Sequence, residues 1–495
     1  VIATVGIALI LALPLAAAMA AVPFGRRGPG LAALVAVAVP VLVVLLAALV
    51  LRDGPAVLAV GGWQAPLGIV LRADGLACAF LAMAALVMAI VLLSARPEFG
   101  AGAVEQRAAF AFWPLALLLW GALNAIFLSG DLFNLYVGLE LLTLCAVALV
   151  AIGNRAETVA AALRYLVFAL LGSLLYLLGV VLLYSAYGTL DIGLLADRVE
   201  AGPTALVAAG LMTAGLAVKT ALFPFHAWLP PAHSGAPAPA SAMLSALVPK
   251  ASFFILLRLW FDAMPGLAEE ALVVLFGVLG TLAILYGSLL ALGQKRLKLI
   301  IAYSTVAQIG YLFLVFPLAG GESGAQPWAA GAWSGGIFQA LSHAGAKAAM
   351  FLCAGLYIQA IGHDRLEGLR GIVRAMPMTT FAFGLAAVSL VGLPPSGGFT
   401  AKYLMLTAAF ASGQIALAVV LVLGGLLSAL YLYRPLALAF GQAAPDGPAF
   451  RPVARRWQML PLALALAAIL LGLASAVPYD LLQVGRPGTA TEGLG

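Results

Sequence analysis

Charge is what this 495-residue chain lacks: only 9% of its residues are Asp, Glu, Lys or Arg, while 64% are hydrophobic. An average soluble domain is about half apolar and about a quarter charged, so neither a soluble nor a disordered protein fits. Cysteine is scarce as well. Cys78, Cys145 and Cys353 sit singly inside apolar runs, with no spacing for a disulfide framework, an iron–sulfur cluster or a zinc site. The chain is therefore expected to carry no cofactor, metal or redox centre of its own. The net charge of +6 is dispersed over short loops, which excludes a nucleic-acid surface and reads as a topology signal. Of the four charged residue types lysine is the rarest, at six residues against nineteen arginines. Alternating apolar–polar runs are missing too, which excludes a membrane β-barrel.

What is present is a series of long apolar runs punctuated by Arg, Gly and Pro. At about 20 residues per crossing, they predict an all-α polytopic membrane protein with about 14 transmembrane helices. The spans fall near 1–22, 30–51, 74–94, 109–129, 131–153, 158–187, 204–233, 240–262, 268–292, 299–317, 335–360, 379–411, 415–440 and 459–478. The first lacks a basic n-region and reads as a retained span, not a signal peptide. Basic residues gather after odd-numbered spans (Arg26, Arg27, Arg155 and the loop residues Lys295, Arg296 and Lys298 among them). After even-numbered spans they are few: Arg52, Arg72, Arg198 and Arg258. The positive-inside rule then puts both termini outside the cell membrane.

Two spans are interrupted. Span 7 contains Pro224, Pro230 and Pro231, and span 12 contains Pro394, Pro395, Gly397 and Gly398. Neither set can continue one helix. Pro/Gly breaks in corresponding spans point to an inverted repeat with its site between the halves. The expected organisation is 1–108 for helices 1–3, 109–262 for a first inverted repeat (helices 4–8), 268–440 for a second (helices 9–13), and 441–495 for helix 14 and a short tail.

Four of the six lysines, Lys219, Lys250, Lys347 and Lys402, lie inside apolar spans, whereas arginine keeps to loops and span ends. A lysine at membrane depth is costly unless paired or hydrated. Unlike arginine, it can give up and regain a proton near neutral pH once buried. Glu140, the one acidic residue in mid-span, is the natural partner of Lys219. Its carboxylate would hold the ammonium protonated, and weakening the pair would free that proton. The competing account is a static ion pair fixing helix packing.

Lys250 follows Pro249 and can accept the next proton, unless it snorkels to an interface. His343 and Lys347 are four residues apart on one helical face, and an imidazole can bridge between lysines; a satisfied core histidine is the alternative. Lys402, just after the second break, is the expected terminal site. His226 and His233 flank the prolines of span 7, where they either line an inlet or cap broken backbone. Asp131 reads as a helix cap. Arg164 either positions Glu140 or anchors span 6. Tyr303, Ser304, Thr305 and Gln308 either hold water or pair helices.

The segments GDLFNLYVGLELL, VKTALFPFHAWLPPAHSGAPAPASAMLSALVPK, KRLKLIIAYSTVAQIGYL, SHAGAKAAMFL and LVGLPPSGGFTAKYL resemble the antiporter-like subunits shared by Mrp-type cation/proton antiporters and respiratory complex I. The resemblance covers nearly the whole chain. Within that superfamily the FNLYV stretch, Lys402 and the overall length look most similar to the D-type subunit of the Mrp antiporter. It implies Glu140 and Lys219 as a coupling pair, and Lys250, His343, Lys347 and Lys402 as a hydrophilic axis for proton transfer. Pro231 and Phe225 depart from the family pattern without removing a titratable group. The implied function is a proton-translocating subunit, bound to other integral membrane subunits, of a sodium/proton antiporter. The alternative is a proton-pumping subunit of a complex I-like, redox-driven enzyme. A scaffold without transport is disfavoured by the retained buried charges.

Overall fold

In the computed structural model, the described residues are 1–100, 107–267, 270–320, 326–442 and 450–486. Parts of the links between spans 3 and 4 and between spans 13 and 14, the start of the second repeat at 268 and the end of the tail lie outside them. Thirteen helices among the described residues are long and apolar enough to cross a membrane.

Spans 1 to 6 are Ile2–Phe24, Gly28–Asp53, Gly75–Ser94, Arg107–Leu128, Leu132–Ala151 and Ala156–Tyr187. Spans 7 to 11 are Pro203–Gly235, Ala238–Ala263, Val273–Gly293, Leu297–Ala319 and Ala329–Ile361. Spans 13 and 14 are Ile415–Phe440 and Arg455–Leu473. The fourteenth expected crossing, span 12, consists of two half-helices, Pro377–Val391 and Gly397–Ala411, each too short to cross alone. The chain is thus an all-α multi-pass membrane protein. The only sheet among the described residues is a short hairpin, β1 (Ala56–Ala59) against antiparallel β2 (Val70–Ala73), in the link between spans 2 and 3.

Spans 8 and 10 are enclosed nearly throughout, whereas spans 1, 2, 6 and 13 present apolar side chains outward. Leu34, Val37, Val44, Leu163, Val167 and Leu426 are exposed on those faces. Outside a bilayer this would be a liability; in lipid it is the expected surface.

Helix starts use local polar caps. Asp74 accepts from the Ala77 amide at 3.0 Å, Asp131 from Asn134 at 2.8 Å and Ser396 from Phe399 at 3.1 Å. Asp131 therefore acts as the cap expected of it; burial raises its carboxyl above the usual range, against the lowering effect of its backbone hydrogen bonds.

The two breaks are built alike. The first half of span 7 ends at Thr220, with Ala221 left-handed at φ +60°; the first half of span 12 ends at Val391, with Gly392 left-handed at φ +88°. A turn containing a cis X–Pro bond follows each, Phe223–Pro224 and Pro394–Pro395. Span 7 can approach span 6 closely because Gly172 faces Gly215, and a Cβ on either would strike the other's carbonyl. That contact brings span 7 within reach of span 5.

Candidate functional site

Glu140 and Lys219 meet across spans 5 and 7, with Nζ 3.2 Å from Oε1. The lysine side chain is 4% exposed and the carboxylate 21%. Thr143, one turn after Glu140 on the same face, accepts a second hydrogen bond from the ammonium at 2.8 Å. The Ser173 hydroxyl, from span 6, donates to the same carboxylate oxygen. Arg164 is exposed and makes no ion pair with Glu140, so of its two expected roles only anchorage of span 6 is compatible with its position.

The next lysine is held by a defect in its own helix. Pro249 has no amide hydrogen, so the carbonyl four residues back, that of Ser245, loses its helical donor. The fully buried Lys250 ammonium takes that carbonyl at 2.5 Å, and the helix breaks between Ala246 and Val248. Lys250 does not snorkel to an interface.

Span 10 ties Lys250 to Lys347. The Ser245 hydroxyl lies 2.7 Å from that of Thr305, which donates to the Ile301 carbonyl at 3.0 Å. Lys347 Nζ donates to the same carbonyl at 2.9 Å and to the Ser304 hydroxyl. His343 sits one turn before Lys347. It is buried, and neither ring nitrogen has a protein partner among the described residues, so it is not the satisfied core histidine that sequence leaves open. The charges of Lys250, Lys347 and Lys402 all bear on it.

Lys402 completes the row. Its ammonium donates to the carbonyls of Leu390 and Val391, both at 2.9 Å, and lies 4.4 Å from the centre of the Tyr311 ring. Those carbonyls end the first half of span 12, where a helix leaves acceptors without intrahelical donors. Gln308 donates to Leu390 at 3.2 Å and accepts from Gln339 at 2.7 Å. The polar residues of span 10 therefore pair helices by hydrogen bonds; Tyr303 lies apart from them, half-buried.

Several groups in the interior differ from their reading in the sequence. Lys298, assigned there to a loop with Lys295, is buried in the first turn of span 10 and donates to the Ala236 carbonyl. Its helix begins at Leu297, two residues earlier than expected, and turns the side chain inward. Arg258, counted as a loop residue, is also buried. It makes 2.7 Å contacts with Asp74 and Asp262, which compensate its charge at the end of span 8. Arg72 adds a contact to Asp74 at 3.4 Å. Although burial opposes ionisation of Asp74, which lies before span 3, Arg258 beside it holds the carboxyl below the usual range.

His226 stacks near Phe223 and Tyr286, with ring centres 5.7 and 5.1 Å away. His233 is fully buried, stacked on Phe351 at 4.6 Å. Thr143, Ser173 and Ser245 were missed in the sequence. Thr143 and Ser245 carried a readable signal, one a turn from Glu140 and the other four residues before Pro249.

Residues 129–428 match the family described as NADH:quinone oxidoreductase/Mrp antiporter, transmembrane. Over 95% of this chain and 94% of its own length, the N-type subunit of NADH-quinone oxidoreductase from Desulforudis audaxviator is 38% identical. The D-type subunit of the Na(+)/H(+) antiporter from Alkalihalophilus pseudofirmus is 31% identical over 80% of this chain and 78% of its own. A chain of the Mrp complex from a Dietzia species superposes with a TM-score of 0.87 at 27% identity, covering 98% of both chains.

Proposed function

Because this chain belongs to the NADH:quinone oxidoreductase/Mrp antiporter transmembrane family, we propose that it translocates protons within a multisubunit membrane complex, along the row Glu140, Lys219, Lys250, His343, Lys347 and Lys402. The observation that carries this reading is the chain of hydroxyls and carbonyls between Lys250 and Lys347, with the Glu140–Lys219 pair at the first break. One ion pair opens the row, and lysines joined by the hydroxyls and carbonyls of spans 8 and 10 continue it. Each lysine keeps an acceptor beside it, so a proton can rest at several points without an unsolvated charge. Loosening the Glu140–Lys219 pair frees the Lys219 proton for the next group, and re-forming it resets the row.

We assign spans 4–8 (109–262) and 9–13 (268–440) to two inverted repeats, with both termini outside the cell membrane. The matching breaks of spans 7 and 12 support the first assignment, and the excess of Arg and Lys in loops after odd-numbered spans supports the second.

Exchange of protons against sodium is the reading of the driving reaction. Full-length likeness to a chain of the Mrp complex and 31% identity to a D-type Na(+)/H(+) antiporter subunit support it. A second reading, redox-driven pumping in a complex I-like enzyme, is supported by the 38% identity to an N-type NADH-quinone oxidoreductase subunit. In either case other integral membrane subunits supply what this chain does not.

Replacing Lys219 or Glu140 by alanine is expected to abolish proton flux in vesicles containing the whole complex; undiminished flux refutes the relay. Subunits co-purified in mild detergent separate the two readings. Small hydrophobic partners mean antiport, and iron–sulfur and quinone-site proteins mean redox drive.

A further inference from the structure

A row of mobile protons works only if it is closed to the membrane face it must not reach. Span 8 carries Lys250 near its middle and ends at Ala263, on the face opposite Arg155 and Arg296. Between Lys250 and Arg258 it rises about 12 Å. Ser252 is the one polar residue on that stretch, and it lies on another side of the helix. Phe254, fully buried one turn beyond Lys250, meets Phe80 of span 3 and Phe127 of span 4, which are equally buried. The three ring centres are 5.1, 5.1 and 5.3 Å apart. Phe253 extends the apolar wall to Phe313 of span 10, with ring centres 6.2 Å apart. These rings offer no polar atom to hold a water, and space lined only by apolar groups stays dry.

Immediately beyond the rings, the Arg258 guanidinium lies 5.0 Å from the centre of Phe254. Here span 8 widens into a π-helix, Arg258–Ala263, a form often found at functional sites. Asp74 takes one guanidinium nitrogen at 2.7 Å and Asp262 another, also at 2.7 Å. Asp74 further accepts from the Ala77 amide and touches Arg72. Arginine does not give up its proton, and Arg258 beside it holds the Asp74 carboxyl below the usual range. Neither can therefore pass a proton on. After span 14, the short helix Ala476–Gln483 closes over this cluster, and the Val484 carbonyl accepts from the Gly75 amide at 2.9 Å.

We propose that Phe80, Phe127 and Phe254, backed by the Arg258–Asp74 pair, form a two-layer seal against leakage from Lys250 to the face opposite the basic loops. The rings exclude the water a proton would need. Behind them, the ion pair leaves no free acceptor. A proton on Lys250 then has only the lateral route, toward Lys347 and Lys402. This inference rests on the relay proposed above and adds what gives that relay its direction.

The competing account is a static cluster that only ties span 3 to span 8. Passive leak separates the two. Vesicles containing the whole complex are given a pH gradient, with neither sodium nor an electron donor, and its collapse is timed. Phe254→His places a proton carrier in the first layer, and Arg258→Gln frees Asp74 to accept in the second. Together they are expected to speed the collapse by about tenfold or more. Each alone leaves one layer closed and leaks far less. Should Phe254→His prevent assembly, Phe80→His opens the same layer from span 3.

Adding Lys250→Met or Asp74→Asn to the leaky pair is expected to make the vesicles tight again, because each removes a station on the escape route. Damaged packing would not respond to either. A double variant as tight as the parent, or a leak that persists after Lys250→Met, overturns the seal. Lys219→Ala, run in parallel with the complex driven, tells which claim has failed. If it stops driven flux, the relay stands without this seal; if driven flux is undiminished, the relay itself is wrong.

Discussion

The two broken spans solve one problem with different chemistry. Each interrupts a helix with a left-handed residue and a proline turn, and each has a lysine next to the interruption. In span 7 the lysine precedes the break and turns to a carboxylate on span 5, with Thr143 and Ser173 completing the cluster. In span 12 the lysine follows the break and turns back onto two helix-end carbonyls and an aromatic ring. No carboxylate pairs with Lys402 among the described residues.

A carboxylate rewards only the charged amine, so the Glu140–Lys219 contact changes character when the proton leaves. Backbone carbonyls still accept from a neutral amine, more weakly than from an ammonium, so the two Lys402 hydrogen bonds survive deprotonation while the contact with the Tyr311 ring weakens. In the proposed relay the first break serves as a switch and the second as a resting place.

The most severe way to break this contrast is to remove one partner of the pair. Lys219→Ala leaves the partly buried Glu140 carboxylate without its ammonium and is expected to cost about 3 kcal/mol, read as a fall in thermal midpoint of the detergent-solubilised complex. The double variant Lys219→Met with Glu140→Leu is expected to recover most of that stability while flux stays absent. Recovery of flux would mean the pair is only packing.

At the second break, Lys402→Gln keeps a donor for a backbone carbonyl but cannot carry a proton. Flux is expected to fall by about tenfold or more, with a loss of stability within about 1.5 kcal/mol, the scale of a net hydrogen bond. A loss as large as that of Lys219→Ala would erase the distinction between the breaks.

Between them, Pro249→Ala returns an amide donor to the Ser245 carbonyl, in competition with Lys250. The thermal midpoint is expected to rise and flux to fall severalfold; unchanged flux would detach Lys250 from its helix defect. The smallest effect is expected at Ala221, a non-glycine residue in left-handed backbone. Ala221→Gly relieves about 1 kcal/mol, visible as a slightly higher midpoint with flux intact.

How far the sequence could be read is best judged at single residues. Glu140 and Lys219 could be matched because oil admits few charges: Glu140 is the one mid-span acid, and Lys219 is the buried lysine beside the first break. Both breaks were legible from proline and glycine, since loss of a backbone donor is a local matter. Lys298 was not legible. Its neighbours Lys295 and Arg296 gave the segment the composition of a loop, and only the start of the helix at Leu297 turns its side chain inward. Nor was Arg258, whose partner Asp74 lies 184 residues away.

Composition and apolar run length alone determined that this chain lives in a membrane, crosses it about fourteen times and buries lysines there. Hydrophobic transfer and backbone hydrogen-bond satisfaction act segment by segment, and so can be read along the chain. Which acceptor each lysine found was decided by tertiary structure. Close approach at Gly172 and Gly215, the orphaned Ser245 carbonyl and the folded-back end of span 12 each fixed a partner. Hydrogen bonds require contact within about 3 Å, and such contact between distant segments exists only once the helices have packed.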